Sequence, residues 1–311
     1  MTRRQYSIVW FFRKVRRKVT GNPIELKKYA GKSLNSKEEA GKWLSDWIEK
    51  GIPFMAGRFG SVELNAMVVI EKKGKSGLKA QKLAFEELNI NAGFFPNDIT
   101  LMGDFCEQMY SACKSLDLLG TWSKYMEDYV VEKYCKECLC VPLISLEPWY
   151  TEIPWTRALK GKKVLVIHPF EKTIQKQYKN RDKLFPETEI LPEFEKLYTL
   201  KAVQTVAEEK DERFKNWFEA LEWMYQEAMK IDFDIAIIGC GAYGFPLAAR
   251  IKKAGKQAVH MGGATQILFG IKGKRWDKHP VIGKLYNEFW VRPDESETPQ
   301  SAKKIEQGCY W

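Results

Sequence analysis

The sequence predicts an α/β protein built on a doubly wound, mostly parallel, Rossmann-like sheet with helices on both faces. Three observations carry that expectation. Apolar strand-like runs alternate with helical patterns through the second half of the chain, the order that gives parallel strands joined by crossover helices. The run 235-IAIIGCGAYGFPLAARIKKAGKQAVHMGG-263 passes from an apolar strand through G-x-G-x-x-G into a helix. Earlier, 52-IPFMAGRFGSVELNAMVVIEKKG-74 repeats the scheme of strand, glycine turn and helix; such turns are where α/β proteins place ligand groups.

Taken in order, the chain opens on 3-RRQYSIVWFFRKVRRKV-19, where Ile8, Val9, Trp10, Phe11 and Phe12 sit between clusters of Arg and Lys. The patch is far shorter than the roughly 20 apolar residues of a spanning helix. It also lacks a cleavage site behind an adequate apolar run, so no signal peptide is expected. A cationic aromatic helix suits an anionic bilayer surface. Next, 35-NSKEEAGKWLSDWIEKG-51 reads as a helix capped at Asn35 or Ser36, apolar through Trp43, Leu44 and Trp47, and stopped by Gly51. A helix over 80–96 ends near Asn91 to Gly93, and helical periodicity continues across 98–130 through Met102, Phe105, Met109 and Tyr110. A strand at 163–170 follows Gly161, and 201–209 and 214–231 read as helical. The closing pattern is strand 233–239, helix 246–255 and strand 256–262. This divides the chain into a basic arm (1–30), an N-terminal α/β half (31–155) and a C-terminal Rossmann-like half (156–311). A cleft between the halves and one continuous sheet fit the pattern equally.

Composition sets the outer limits. With 311 residues, 45% hydrophobic and 29% charged, the chain reads as a globular protein with ample core. Its net charge of +10 suits nucleic acid, an anionic membrane or a phosphorylated ligand. No nucleic-acid-binding signature accompanies that charge. Seven cysteines, an odd number, favour free thiols in a reducing, cytoplasmic setting. Cys135, Cys138 and Cys140 resemble half of a zinc site, but no second knuckle supplies a fourth ligand. Buried thiols are the expectation.

The glycine loop has the order of an anion site. Gly239, Gly241 and Gly244 permit a tight turn and close approach of phosphate to backbone N–H groups. Pro246 fits the first turn of the following helix. An NAD(P)-dependent oxidoreductase would place a carboxylate about 20 residues on, at the end of the next strand. That strand ends 259-VHMGGATQ-266, which offers only His260. Downstream, Lys272, Lys274 and Arg275 lie beside Trp276, and upstream His168 and Lys172 follow a strand. Cations, glycines and aromatic faces together suit a nucleoside diphosphate carrying a sugar.

The pieces GRFGSVEL, VLVIHPFEKTIQKQY, GCGAYGFPLA, GGATQILFGIKGKRW and the ending GCYW resemble bacterial GT-D-like glycosyltransferases of surface-polysaccharide (capsule, O-antigen) gene clusters. The resemblance spans roughly residues 40 to 311. It implies an α/β enzyme that moves a sugar from a nucleotide-sugar donor to a glycan or lipid-linked glycan acceptor. The enzyme would sit peripherally at the inner face of the cell membrane. In that family an Asp-x-Glu motif after an Arg-Phe-Gly turn holds the donor diphosphate, usually through a divalent metal, Mn or Mg. Here Arg58 and Glu63 match, while Ser61 stands in place of the Asp. That exchange weakens a metal site, since a neutral hydroxyl replaces a carboxylate, and leaves open a non-catalytic nucleotide-sugar or phosphoglycan binding protein. On this reading Glu63 contacts metal or donor, and His168 deprotonates the acceptor. Arg58, Ser61, Gly239, Gly241, Tyr243, Gly244, Gln266, Lys274 and Arg275 bind the donor, with Tyr243 stacking on its base or sugar.

Overall fold

The computed structural model describes residues 2–20, 27–206, 209, 211–299, 301–302 and 308–311. Its first half runs α1 (Arg3–Thr20), β1 (Lys28–Tyr29), β2 (Lys32–Ser33), α2 (Lys37–Glu49), β3 (Met55–Gly57), α3 (Ser61–Val69), α4 (Gly74–Ala92), α5 (Met102–Cys113), β4 (Leu118–Thr121), α6 (Glu127–Tyr134) and β5 (Leu139–Pro142). The second half runs β6 (Lys163–His168), α7 (Glu171–Tyr178), α8 (Arg181–Leu184), β7 (Lys196–Lys201), α9 (Trp217–Met229), β8 (Ile235–Ile238), α10 (Gly244–Lys253), β9 (Gln257–His260), α11 (Thr265–Leu268) and α12 (Ile282–Leu285).

Seven strands form one sheet in the order β5-β4-β3-β9-β8-β6-β7, and every pairing is parallel. The sheet is continuous across residue 155, because β3 pairs with β9 through Ala56 and Val259. Alternate strand residues go to opposite faces. Met55, Leu119, Leu165, Ile167, Ala236, Ile238 and Ala258 join one core with residues of α3, α4, α5, α9 and α10. Ala56, Leu118, Val164, Val166, Ile235, Ile237 and Val259 join the other with residues of α2, α7 and α11. Both faces of the sheet are covered, as a parallel sheet requires.

Local chemistry explains the elements that sequence located well. Ser36 accepts from the Glu39 N–H at 3.1 Å and its own N–H donates to the Glu39 carboxylate at 2.8 Å, a complete capping box for α2. Helix α4 ends at Gly93, with φ of +77°, as expected near Asn91 to Gly93. Three expectations need correction. The stretch 98–130 is not helical throughout: β4 interrupts it between α5 and α6. Residues 139–142 form a further strand that hydrophobic periodicity did not isolate. The expected helix at 201–209 is instead the last residue of β7 followed by irregular chain, and residues 207, 208 and 210 lie outside the described residues. The cysteines are buried free thiols, and among the described residues no group of three or more His, Cys, Asp or Glu side chains is placed to hold a metal ion.

Helix α1 docks along α6 and leaves one face outward. Tyr6 is buried, the Trp10 and Tyr125 rings meet edge-on at 5.0 Å, and Arg13 pairs with Asp128 at 2.9 Å. Ile8, Phe11, Phe12, Val15 and Val19 are exposed, and their spacing of three and four residues puts them on one stripe. Arg4, Lys14, Arg16 and Lys18 are exposed as well. No described helix is long and apolar enough to cross a membrane.

At the other end of this contact Glu71 accepts from Lys133 Nζ and Tyr129 OH at 2.6 Å each and from Tyr134 OH at 2.8 Å. Burial alone would raise its carboxyl, but these donors outweigh burial and hold it below the usual value. A depressed carboxyl stabilises the fold above its unfolded pKa of about 4.3 and loses that contribution as pH falls through the folded value. Glu71→Ala is therefore expected to cost about 1–2 kcal/mol at pH 7 in urea unfolding. The difference from wild type should shrink below about pH 4.

Candidate functional site

A cavity of about 270 Å³ opens beyond the carboxyl ends of all seven strands of the sheet. Each strand sends residues to it: Arg58 after β3, Trp122 after β4, Glu147 beyond β5, His168 at the end of β6, Thr205 after β7, Gly239 to Gly241 after β8, and His260 at the end of β9. This is the edge at which open α/β sheets receive ligands. Parallel strands bring the residues together because every strand runs the same way.

The wall at β3 is cationic. Arg58 places its guanidinium carbon 4.8 Å from the centroid of the Trp122 ring. A Cβ on Gly262, which has φ of +60°, would lie 3.0 Å from Arg58 Nε and Nη2, so the guanidinium lies close against that backbone. Trp122 is fixed from below by Glu127, whose carboxylate accepts from the Trp122 N–H at 3.2 Å and from Tyr29 OH at 2.7 Å. Burial pushes the Glu127 carboxyl up to about 7 despite these donors. Four side-chain atoms around the cavity are buried without a hydrogen-bond partner: Arg58 Nε, Trp122 Nε1, His260 Nδ1 and Gln266 Oε1. Buried polar groups without partners are uncommon in folded proteins. Four of the ten such atoms among the described residues belong to residues that line this cavity, which makes it the candidate ligand site.

The glycine loop lines this cavity, but its glycines make room mainly for protein. A Cβ on Gly244 would lie 2.2 Å from Cε1 of His260, and one on Gly239 would lie 2.7 Å from Cδ2 of His168 and Oγ1 of Thr265. The space over Gly239 and Gly244 is therefore filled by imidazole, not held open for phosphate. Gly241 is required by its backbone, with φ of +56°. Tyr243 was expected to stack on the donor; its ring lies stacked on Trp217 at 5.1 Å and 12°, and its hydroxyl meets Thr205 Oγ1 at 3.1 Å. That ring face is occupied by the core.

His168 is not disposed as a base. Its Nδ1 accepts the Phe170 N–H at 3.0 Å, so the neutral ring carries its proton on Nε2, and burial lowers its pKa to about 3. Towards a ligand such a ring donates. His260 is likewise held neutral, lowered to about 3 by burial and then by the Arg58 charge. Glu63 is the third residue of α3, and its carboxylate folds over Gly60 at the helix start: a Cβ on Gly60 would lie 1.8 Å from Oε2. A carboxylate in the first turn is favourable at a helix N-terminus. Ser61 lines the cavity and is exposed.

The remaining wall is built from the chain's last residues. Gln266 donates through Nε2 to the carbonyls of Ile271, Lys272 and Tyr310 at 3.1–3.2 Å. Arg275 lines the cavity and donates from Nη1 to Tyr310 OH at 3.0 Å. Lys274 reaches Trp311 through its backbone N–H, at 3.2 Å, and does not line the cavity. A divalent cation fits this donor set poorly. The cavity's carboxylates are Glu63, turned to its own helix, and Glu147.

Glu147 is the residue that sequence reading missed. It lies between two short 3-10 turns beyond β5 and lines the cavity. Burial pushes its carboxyl up to about 7, against the opposing charge of Arg58. A lone Glu in 143-LISLEPWY-150 carries no motif that would single it out.

No protein-family model matches the chain, and no curated protein does. Two solved structures of the domain of unknown function 1792 match it. One, described as having a distinct glycosyltransferase fold, aligns at TM-score 0.48 and 11% identity over 86% of this chain and 93% of the other. The second, a selenomethionine-substituted form of the domain, aligns at TM-score 0.45 and 12% identity over 76% and 79%.

The packing makes its own prediction. Gly244→Ala should cost about 1–3 kcal/mol of stability in chemical denaturation, because the new methyl meets the His260 ring. An unchanged midpoint would mean that the ring moves aside freely.

Proposed function

We propose that the protein transfers a sugar from a nucleoside-diphosphate donor bound at the carboxyl edge of the sheet. One observation carries this reading: Arg58, held over the Trp122 ring, lines a cavity that all seven strands supply. A guanidinium presents paired donors to phosphate oxygens and keeps its charge at any working pH. Arg275 adds a second cation to the lining. Departure of a nucleoside diphosphate leaves negative charge on the β-phosphate, and fixed donors aimed there lower the barrier. The neutral His168 Nε2–H is a further donor for a sugar or phosphate oxygen.

The same features disfavour the dinucleotide reading. The strand end that would hold a ribose carries His260, and that ring packs into Gly244. Ser61 in place of the family's Asp supports charge neutralisation by Arg58 and Arg275 over neutralisation by Mn or Mg. The non-catalytic binding protein remains the second reading, favoured by the same serine, and donor binding without turnover is its signature.

The acceptor we assign is a lipid-linked glycan at the anionic inner face of the membrane. The support is α1, whose exposed stripe of Ile8, Phe11, Phe12, Val15 and Val19 lies on a helix rich in cations. Apolar side chains entering the headgroup region and cations attracted to anionic lipid act together.

A thermal-shift screen against UDP-, GDP-, CMP- and dTDP-sugars and NAD(P) tests the reading; one nucleotide-sugar family is expected to stabilise the protein. Arg58→Ala should weaken that donor by about 10- to 100-fold, and EDTA should change wild-type affinity less than threefold. A shift with NAD(P) alone contradicts the proposal. In flotation with phosphatidylglycerol-containing vesicles, Phe11→Asp with Phe12→Asp should leave the protein at the bottom of the gradient while wild type rises.

A further inference from the structure

Resting on that reading, we propose that Glu147 is the base that takes the acceptor hydroxyl proton in a single, inverting displacement at the anomeric carbon. The argument starts from what else lines the cavity. Glu63 folds over Gly60 at the start of α3. His168 has its Nδ1 lone pair engaged by the Phe170 N–H. His260 packs its ring against Gly244. Cys240 is buried and its thiol is pushed up by burial, so it stays protonated. Tyr243 is stacked in the core, with its hydroxyl on Thr205. Glu147 remains: its carboxyl lines the cavity, with the Trp149 side chain as its hydrogen-bonding neighbour and Arg58 as its charged one.

Its surroundings suit the task. A base works best when its pKa lies near the operating pH, and burial brings the Glu147 carboxyl to about 7. The charged and titratable neighbours that act on it are Arg58, from the end of β3, and Tyr150, from its own segment. Arg58 opposes the effect of burial. A donor diphosphate that engages Arg58 offsets this cation, so the carboxylate's proton affinity rises once the donor is in place. Binding of the donor thereby readies the base.

The step balances within donor, acceptor and this side chain. The acceptor oxygen forms its bond to the anomeric carbon as its proton passes to a Glu147 carboxylate oxygen. The bond from the anomeric carbon to the phosphate oxygen breaks, and its electron pair leaves with the nucleoside diphosphate beside Arg58.

The test uses the full chain with the UDP-, GDP-, CMP- and dTDP-sugar panel as donors and water as acceptor. Calorimetry gives binding, and released nucleotide gives turnover between pH 5.5 and 9. Glu147→Gln is expected to bind the same donor as wild type within threefold and to release nucleotide at least about 100-fold more slowly. Wild-type turnover should fall tenfold per pH unit below the carboxyl's pKa. Glu147→Asp, which keeps the carboxylate, should retain that acid limb at reduced rate, as a merely structural glutamate would not require. Glu147→Gln turning over at the wild-type rate with the same acid limb overturns the proposal. So does loss of donor affinity as large as the loss of turnover, which makes Glu147 a counter-ion of Arg58. If no nucleotide sugar binds wild type, or one binds and never turns over, the transfer reading itself fails and takes the inference with it.

Discussion

A half-buried guanidinium whose Nε has no acceptor is the constraint around which the site is organised. Arg58 is held between the Trp122 ring and the backbone at Gly262, and its Nε has no acceptor within the protein. A polar atom sealed from water without a partner carries a cost. Glu147 lines the same cavity within reach of the Arg58 charge, and burial brings its carboxyl to about 7. On the proposed reading the cation awaits an anion from outside. The depth of support beneath it, from Arg58 to Trp122 to Glu127 to Tyr29, locks its geometry before a ligand arrives.

Neutrality of the two imidazoles follows from the same burial. A sheet whose strands are covered on both faces brings His168 and His260 to its edge in a setting that disfavours charge. Gly239 and Gly244 exist to accommodate those rings. The loop that looks like a phosphate cradle therefore serves first to pack two uncharged donors and acceptors under the cavity floor. The positive potential comes instead from the walls, through Arg58 and Arg275.

Much of the fold was legible because its signals are local. The Ser36 and Glu39 box, the glycine that ends α4, and the strand–loop–helix units at 55–69 and 235–253 all follow from neighbouring residues. Strands β4 and β5 were hidden by length: four residues each, set among helices, give no period to read. Strand β7, KLYTLK, has a weak pattern because it lies at the sheet's edge with intermediate burial, and pairing with β6 decides it. Of the residues that motif, resemblance and spacing single out, Arg58, Ser61, Glu63, His168, Gly239 and Gly241 line the cavity, while Gly244 does not. Their individual tasks were not legible. Stacking of Tyr243 on Trp217 and the turn of Glu63 onto Gly60 are outcomes of tertiary packing. Glu147 gains its character only from burial and from Arg58, two features that sequence spacing does not encode.

The central claim is that a donor diphosphate completes Arg58 at the carboxyl edge of the sheet. A crystal structure with the nucleotide sugar that binds in solution tests it most directly. The account predicts a diphosphate oxygen about 2.7–3.0 Å from a terminal nitrogen of the Arg58 guanidinium, with the nucleoside and sugar in the cavity between Trp122 and the 260–266 segment. A diphosphate bound away from the Arg58 guanidinium would contradict it.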